Sequence, residues 1–252
     1  MSEVVNNVVV ITGASSGIGQ ATVKLFSKEG WNVIGISRRQ YENRDIDLQI
    51  QADISKPEQI KEIFVKIKTY TDHIDALINN AAIQVCKPIT DMDVKEWDLI
   101  FHTNIRSVFL CSKYAFPLLK KRQGSIVNVS SVHALATSAN IAAYAASKGA
   151  LLAFTRAAAV EFGKDNIRVN AVSPGAVDTP MLHAGLERGH ISNSTLEDKL
   201  IALSKRHIVG RIGRPDEIAQ AILFLSDHNR SSFITGQSII VDGGALAKLS
   251  TE

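Results

Sequence analysis

The chain has 252 residues, of which 45% are hydrophobic and 21% charged, and its formal net charge at pH 7 is +3. A chain of this size buries a large core without needing disulfides or metal. The basic residues are scattered, which argues against a nucleic-acid-binding surface. No apolar run approaches the ~20 residues of a membrane span, and no signal peptide is recognisable. Since Cys86 and Cys111 form no C-x-x-C motif, we expect a cytoplasmic protein.

Short β-branched runs alternate with segments of helical periodicity along the chain. The predicted strands are residues 6–13, 31–37, 48–55, 74–82, 124–131, 166–175 and 236–244. The predicted helices are residues 17–30, 56–70, 93–121 (one long helix or two abutting ones), 142–163 and 214–226. The connection 38–47 is too short and polar for a crossover helix, so we expect an irregular loop or one helical turn there.

This alternation of strands and helices predicts parallel βαβ units with right-handed crossovers. About seven such strands predict the α/β class, specifically a doubly wound, Rossmann-like parallel sheet with helices on both faces. No linker, charge block, low-complexity tract or fixed-period repeat interrupts the sequence. We therefore expect a single domain over residues 1–252.

A glycine-rich segment, TGASSGIG (residues 12–19), lies where the first predicted strand meets the first helix. Gly13 permits a tight turn, and Gly17 and Gly19 allow close approach of backbone and ligand. The free N–H groups of a helix N-terminus can bind a pyrophosphate. The spacing differs from G-x-G-x-x-G and lacks the Gly-Lys pair of a P-loop, so a plain glycine turn is the alternative.

The end of the second predicted strand carries Ser37, Arg38 and Arg39. A carboxylate at this place binds the ribose 2′-hydroxyl of NAD, whereas a guanidinium can bind the 2′-phosphate of NADP with two hydrogen bonds. The alternative is a pair of solvated surface arginines. The sequence therefore favours NADP(H), with NAD possible.

Tyr144 and Lys148 are four positions apart in an alanine-rich helix, so both lie on one helix face. The alternative is a packed tyrosine ring beside a lysine that extends to water. Ser131 ends the fifth predicted strand, and the carboxyl ends of parallel strands meet at one edge of a sheet. The segments 79–82 and 173–175 reach the same edge. We therefore expect one site that holds a cofactor, a hydroxyl, a phenol and an ammonium.

These motifs together resemble the short-chain dehydrogenase/reductase (SDR) family. The resemblance rests on TGASSGIG, NNAA, the Ser131, Tyr144 and Lys148 spacing, VSPGAVDTP (residues 172–180) and the terminal VDGG, and it spans residues 7–244. One departure is Ala82, where the family usually has glycine. Its methyl group is expected to narrow the space beside the cofactor without abolishing binding.

The resemblance implies a role for each of four catalytic residues. Tyr144 would exchange a proton with the substrate oxygen, and Lys148 would hold the nicotinamide ribose and lower the pKa of the phenol. Ser131 would orient the carbonyl or alcohol, and Asn104 would anchor a proton-relay water. The implied cofactor-binding residues are Gly13, Ser15, Gly17, Ile18, Gly19, Arg38, Asp53, Ile54, Asn80, Tyr144, Lys148, Pro174, Val177 and Thr179.

The effect of a lysine on a tyrosine depends on water. A free tyrosine titrates near ~10, so a base that works at neutral pH needs a shift of about three pKa units. A cation ~4 Å away supplies ~1 kcal/mol in water but ~4 kcal/mol at an effective dielectric constant near 20. The proposed role of Lys148 therefore requires a partly desolvated pocket.

Substrate contacts are expected from His133 and Gln84, although a structural histidine is an equal alternative for His133. Residues 180–210 resemble the variable substrate lid of the family, and MLHAGLERGHISNS (181–194) would close over a small ligand. The histidines lack zinc spacing, so no metal is expected.

The resemblance implies an NAD(P)-dependent oxidoreductase that acts on a secondary alcohol or ketone and assembles as a homotetramer. A small sugar, polyol or cyclic alcohol is favoured as the substrate. A 3-oxoacyl thioester reductase and a non-catalytic NADP-sensing protein are the alternatives. No nucleic-acid or membrane partner is expected.

Overall fold

The strands form one parallel sheet in the computed structural model, which describes residues 6–40, 42–188 and 195–248. The strands are β1 (Val8–Thr12), β2 (Asn32–Ser37), β3 (Leu48–Gln51), β4 (Ala76–Asn79), β5 (Ser125–Val129), β6 (Arg168–Pro174) and β7 (Ser238–Val241). They pair in the order β3-β2-β1-β4-β5-β6-β7, and every pair is parallel. The predicted seven-stranded, doubly wound fold is confirmed.

The helices fill the connections between these strands. They are α1 (Gly17–Lys28), α2 (Pro57–Tyr70), α3 (Val94–Phe101), α4 (Ser107–Lys120), α5 (Ala142–Gly163), α6 (Pro180–Arg188), α7 (Leu196–Ser204), α8 (Pro215–Ser226) and α9 (His228–Ser231). The segment predicted as one or two helices over 93–121 consists of α3 and α4, joined by a π-helical turn at His102–Arg106. No long helix was predicted in 180–210, and that region contains the short helices α6 and α7.

The strongly apolar strand β1 is buried on both faces of the sheet. Val8 and Val10 face a core formed with α2, α4 and α5, whereas Val9 and Ile11 face a core formed with α1 and α8. Successive side chains of a strand point to opposite faces, so a central strand of this sheet must be apolar at every position. This explains why β1 is a continuous β-branched run.

The strand order changes direction beside β1. Its two neighbours are β2 and β4, so the chain leaves one half of the sheet after β3 and enters the other half at β4. The connections on either side of such a reversal separate and leave a crevice at the carboxyl ends of the strands. The segments that follow β1, β4, β5 and β6 meet at this edge, which is where sequence analysis places the site.

The connection between β2 and β3 is irregular, as predicted. Its described residues, 38–40 and 42–47, contain a turn but no helix. The Asn43 side chain accepts a hydrogen bond from the Asp45 amide at 2.9 Å, and Asp47 accepts one from the Val33 amide at 2.7 Å. Within the described ranges of the chain, no helix has both the length and the apolar character needed to cross a membrane.

Candidate active site

The glycine-rich turn joins β1 to α1 at the crevice. Gly17 begins α1 with a φ of 54°, which favours glycine, and the side chain of the N-cap residue Ser16 does not cap the helix. The first amide groups of α1 are thus left for another acceptor. A Cβ added to Gly17 would lie 3.1 Å from the Thr179 methyl carbon, so the turn lies close to the segment after β6. Ser15 and Ile18 are half-buried in the same turn.

Gly19 and Asn80 hold this turn in place. A Cβ on Gly19 would collide with the carbonyl oxygen of Gly13, so α1 approaches the turn as closely as only glycine allows. The side-chain nitrogen of Asn80 donates to the carbonyl oxygens of Thr12 at 2.9 Å and Gly13 at 3.2 Å. Asn80, predicted to contact the ribose, therefore also ties the segment after β4 to the glycine turn.

The other predicted cofactor residues occupy two further places. Pro174 ends β6, and Val177 and Thr179 follow it, with the Thr179 hydroxyl accepting a hydrogen bond from the Leu182 amide at 3.2 Å. Asp53 lies after β3 and accepts a hydrogen bond from the Ser55 amide at 2.9 Å. The Ile54 side chain is buried and packs in the hydrophobic core beside α2.

The arginines after β2 lie on an ordered turn. The Ser37 hydroxyl donates a hydrogen bond to the backbone carbonyl oxygen of Arg39 at 2.6 Å. The side-chain nitrogen of Gln51 donates one to the backbone carbonyl oxygen of Arg38 at 3.2 Å. Both arginine side chains are exposed. Their backbone is therefore fixed at the end of β2, while their guanidinium groups remain accessible to a ligand.

Tyr144 and Lys148 come together in a dry environment on α5. Only 7% of Tyr144 and 2% of Lys148 are exposed. The ammonium nitrogen of Lys148 donates to the carbonyl oxygen of Val129 at 2.7 Å and lies 5.5 Å from the centre of the Tyr144 ring. The Ser131 side chain lies near enough to the Tyr144 phenol to lower its pKa. The three residues that the sequence predicted to act together therefore meet at the end of β5.

Burial controls the protonation of this pair. It raises the pKa of Tyr144 to about 12, although the nearby Ser131 side chain acts in the opposite direction. It also lowers the pKa of Lys148 to about 7. Lys148 is not among the causes of the Tyr144 shift in the protein alone, so the expectation that it lowers the Tyr144 pKa stays a prediction. Desolvation penalises both charged forms, and a lysine with a pKa near 7 is only half charged at neutral pH.

Asn104 lies in the π-helical turn between α3 and α4 and is buried. Its carboxamide oxygen accepts a hydrogen bond from the Ile83 amide at 2.9 Å. Its nitrogen donates to the Ile83 carbonyl oxygen at 2.9 Å and to the Ser147 hydroxyl at 3.1 Å. The Asn104 side chain is therefore engaged with protein groups, and its predicted water contact stays a prediction. Ser147 was missed at the sequence level, where a serine in an alanine-rich helix gave no signal of its own.

His133 and Gln84, the two predicted substrate contacts, have different neighbours in the structure. The His133 ring meets the Tyr144 ring edge to face at 6.1 Å, and burial lowers the pKa of His133. The Gln84 side-chain nitrogen donates to the Cys86 sulfur at 3.1 Å. A Cβ on Gly185 in α6 would lie 3.3 Å from that nitrogen, so Gln84 faces the predicted lid.

The structure describes residues 180–188 and 195–210 of the predicted lid. Lys199 on α7 donates to the carbonyl oxygen of Leu186 on α6 at 2.9 Å, which joins the two helices. The predicted lid segment 181–194 extends past α6 into residues 189–194, which lie outside the described residues. Across residues 6–40, 42–188 and 195–248, no group of three or more histidine, cysteine, aspartate or glutamate side chains is placed to bind a metal.

Comparisons with known proteins agree with this geometry. The sequence profile of the family described as enoyl-(acyl carrier protein) reductase matches residues 13–245. The 3-oxoacyl-(acyl-carrier-protein) reductase FabG of Thermotoga maritima is 39% identical over an alignment of 254 positions, which covers 95% of this chain and 97% of that protein. The chain belongs to the short-chain dehydrogenase/reductase family. As an SDR protein, it is an NAD(P)-dependent oxidoreductase that acts on CH–OH groups.

Two solved structures resemble this SDR protein over nearly its whole length. The ligand-free aldohexose dehydrogenase of Thermoplasma acidophilum has a TM-score of 0.92 and 35% identity, over 97% of this chain and 96% of that one. ElxO with NADP bound has a TM-score of 0.85 and 31% identity, over 97% of this chain and 100% of that one.

The crevice of this SDR protein fits a nicotinamide dinucleotide. The backbone N–H groups at the start of α1 can donate hydrogen bonds to a pyrophosphate, since the N-terminal end of a helix attracts anions. Because Gly17 has no side chain, the turn can lie close to Thr179, which brings two predicted cofactor contacts together. The buried pair Tyr144 and Lys148 lies at the same sheet edge, after β5. A dinucleotide in the crevice would reach from the glycine turn to these side chains.

Replacing Lys148 with Met should remove a pH dependence of stability. The folded pKa of about 7 lies below the unfolded value near ~10.4, so the unfolded chain binds more protons between these values. The wild type should therefore gain stability as the pH rises from about 7 to about 10, by roughly 3 kcal/mol. The variant should lack this gain. Urea unfolding across this pH range measures the difference.

The exposed Lys24 on α1 provides the control, because Lys24→Met changes the same side chain in solvent. Its stability should follow that of the wild type at every pH. Parallel curves for the wild type and Lys148→Met would show that Lys148 is not held in a desolvated site.

Proposed function

We propose that this SDR protein transfers a hydride between NADP(H) and a secondary alcohol or ketone, with a small sugar, polyol or cyclic alcohol as the substrate. One observation carries the proposal: Tyr144, Lys148 and Ser131 meet in a dry site at the carboxyl edge of the sheet. A phenol whose ionisation depends on its surroundings can serve as the general acid or base at the substrate oxygen.

Ser131 and Tyr144 have different roles at the substrate oxygen. Ser131 orients the carbonyl or alcohol through its hydroxyl group, and the protonated Tyr144 donates its proton to the carbonyl oxygen during reduction. In alcohol oxidation the Tyr144 phenolate accepts that proton. When bound, the nicotinamide exchanges the hydride with the substrate carbon, and its oxidised form adds a positive charge beside the pair. Asn104 remains the proposed anchor of a relay water near Lys148.

A positive charge on Lys148 offsets part of the free-energy cost that burial adds to the ionisation of Tyr144. At 5.5 Å from the phenol ring and an effective dielectric constant near ~20, an ammonium stabilises the phenolate by about 3 kcal/mol. This corresponds to roughly two pKa units. It would return a Tyr144 pKa of about 12 to near its ordinary value, and the remaining shift must come from charge brought by the bound ligands.

NADP(H) is the proposed cofactor because of the charge at the end of β2. Arg38 is exposed on an ordered turn where a carboxylate would repel a 2′-phosphate. ElxO, which is similar in structure, has NADP bound. The remaining proposed contacts come from the glycine turn, the segments after β3 and β4, the active site and the segment after β6: Gly13, Ser15, Gly17, Ile18, Gly19, Asp53, Ile54, Asn80, Tyr144, Lys148, Pro174, Val177 and Thr179.

A small polyhydroxylated or cyclic substrate suits the polar groups beside the site. His133 lies against the Tyr144 ring, and Gln84 faces the lid helix α6, so each offers hydrogen bonds to substrate hydroxyl groups. The structurally similar protein from Thermoplasma acidophilum is an aldohexose dehydrogenase, whose substrate class has this chemistry. Residues 180–188 and 195–210 would act as the lid of a single domain.

Reduction of a 3-oxoacyl thioester is the second candidate. The observation in its favour is the 39% identity to the Thermotoga maritima reductase FabG. The reaction uses the same proton donor, Tyr144, and differs in the part of the substrate that lies beyond the ketone. Acetoacetyl thioesters with NADPH therefore belong in the same assay as the alcohols.

A homotetramer is the proposed assembly, and the cytoplasm is the proposed location. Exposed apolar side chains include Phe109 on α4 and Val160 on α5, and also Phe233 just after α9 and Ile240 on β7. Within the part of the chain that the structure describes, β7 is the last strand of the sheet and pairs with β6 alone. Exposed apolar side chains of this kind can support a tetramer with twofold symmetry. Light scattering that gives the mass of a monomer would contradict it. The free thiols of Cys86 and Cys111 suit a reducing compartment.

The function is tested by incubating the protein with NADP+ or NAD+ and a panel of sugars, polyols and cyclic alcohols, while absorbance reports the reduced nicotinamide. Turnover is expected, and Tyr144→Phe should lower kcat by a factor of about 100 to 10,000, because the proton donor is lost. Tyr114→Phe on α4 is the matched control and should keep near-normal kcat. Normal turnover by Tyr144→Phe would refute the proposed chemistry.

The cofactor preference is tested with Arg38→Asp. The substitution replaces an attraction for the 2′-phosphate with a repulsion, so the ratio of kcat/KM for NADP to that for NAD should fall by at least about 100-fold and reverse in favour of NAD. Lys66→Asp on the exposed side of α2 makes the same charge change away from β2 and should leave the ratio unchanged. An unaltered ratio in Arg38→Asp would mean that this side chain does not bind the phosphate.

A further inference from the structure

Ser147 lies between the two proposed catalytic residues on α5 and is fully buried, with 0% of its surface exposed. Its hydroxyl donates a hydrogen bond to the carbonyl oxygen of Tyr144 at 2.7 Å. The same hydroxyl accepts a hydrogen bond from the Asn104 carboxamide nitrogen at 3.1 Å. One hydroxyl group thus joins the catalytic helix to the π-helical turn.

The donated hydrogen bond alone is ordinary. Serine and threonine in helices often donate to a carbonyl three or four residues earlier, and Thr155 does so to Leu151 at 2.8 Å in this same helix. Thr155 also accepts a hydrogen bond from a buried carboxamide, that of Asn128 at 2.9 Å.

Ser147 differs in its two partners, because the Asn104 carboxamide and the carbonyl oxygen of Tyr144 both belong to the proposed active site. A hydroxyl group can donate one hydrogen bond and accept another at the same time. An alanine makes neither bond, and a thiol makes only weak ones.

The hydrogen bonds continue from Asn104 to the segment after β4. The Asn104 oxygen accepts from the Ile83 amide, and its nitrogen donates to the Ile83 carbonyl oxygen, both at 2.9 Å. Gln84, the next residue, faces the lid helix α6. The contacts thus form one chain from the lid-facing segment through Asn104 and Ser147 to the backbone of Tyr144.

The sheet holds the other end of this helical turn. The Ser130 hydroxyl, at the end of β5, donates to the carbonyl oxygen of Lys148 at 3.1 Å. The ammonium group of Lys148 donates to the carbonyl oxygen of Val129 on the same strand. Among the described residues, two hydrogen bonds therefore hold the turn that carries Tyr144 and Lys148 to the end of β5, and Ser147 supplies its side-chain hydrogen bond to the π-helical turn.

We propose that Ser147 is a positioning residue: it fixes the Asn104 carboxamide and sets the Tyr144 backbone relative to the segment that begins at Ile83. The inference rests on the proposed function, since it assigns Tyr144 the proton transfer. Without the hydroxyl, a buried N–H of Asn104 has no acceptor and must turn away to find one. The Ile83 amide then loses its partner, and Tyr144 loses its fixed distance from the substrate oxygen.

The test compares Ser147→Ala with Ser147→Thr and Ser112→Ala. Ser112 on α4 is the matched control, because it is buried and its hydroxyl has no hydrogen-bond partner among the described residues. Threonine keeps the hydroxyl and can make the same helical bond. Ser147→Cys fills the same space with a poor donor, so it should match Ser147→Ala and replaces that variant if it does not fold.

Two readouts are measured. Ser147→Ala should lower kcat about tenfold with little change in the KM for cofactor, and should shift the pH profile of kcat, because the proton donor is displaced. Hydrogen exchange of the Ile83 amide, which needs no turnover, should speed up about tenfold. Ser112→Ala should match the wild type in both readouts, and Ser147→Thr should recover most of each.

The outcomes separate this inference from the proposed function. Wild-type kcat, pH profile and Ile83 exchange in Ser147→Ala would overturn it while leaving the function intact. A loss of thermal stability with an unchanged pH profile and unchanged Ile83 exchange would also overturn it, since that is a purely structural role. A wild type without turnover on any alcohol or ketone would refute the proposed function, and Ile83 exchange would still decide the role of Ser147.

Discussion

The withdrawal of a phenol and an ammonium from water on one face of α5 is the constraint on which the site depends. Burial disfavours the charged form of each group, which raises the pKa of Tyr144 to about 12 and lowers that of Lys148 to about 7. In the protein alone Tyr144 is therefore neutral at pH 7, and Lys148 is only about half protonated. Ionisation of Tyr144 at neutral pH needs a compensating positive charge close by, so proton transfer at Tyr144 is coupled to what occupies the crevice.

The end of strand β5 positions both Tyr144 and Lys148 and helps to exclude water from them. Strand β5 ends at Val129, whose carbonyl oxygen binds the Lys148 ammonium, and Ser131 follows two residues later to reach the Tyr144 phenol. The reversal of strand order beside β1 places the glycine turn at the same edge. Asn80 joins that turn to the segment after β4. The glycine turn and the proton-transfer groups thus lie at one edge of the same sheet and are joined to it by hydrogen bonds.

Local patterns predicted the elements and the main chemistry, because β-branched runs, helical periodicity and a tyrosine and lysine on one helix face are visible in the sequence. Strand ends were placed too far along: the strand predicted to run to residue 55 ends at Gln51, and Ile54 packs into the core. The raised Tyr144 pKa was not predictable, since its sign is decided by desolvation in the folded protein. Ser147 was missed for a related reason, because its partner Asn104 lies 43 residues away in sequence.

Nuclear magnetic resonance of ¹³C-labelled tyrosine tests the central claim most directly, with the Tyr144 signal identified by its loss in Tyr144→Phe. A tyrosine in water ionises near ~10, whereas burial raises the Tyr144 pKa to about 12. The account predicts that in the protein alone this signal stays that of a neutral phenol up to about pH 11, and that oxidised cofactor shifts its ionisation to lower pH. A midpoint at or below ~10 without cofactor would contradict the account.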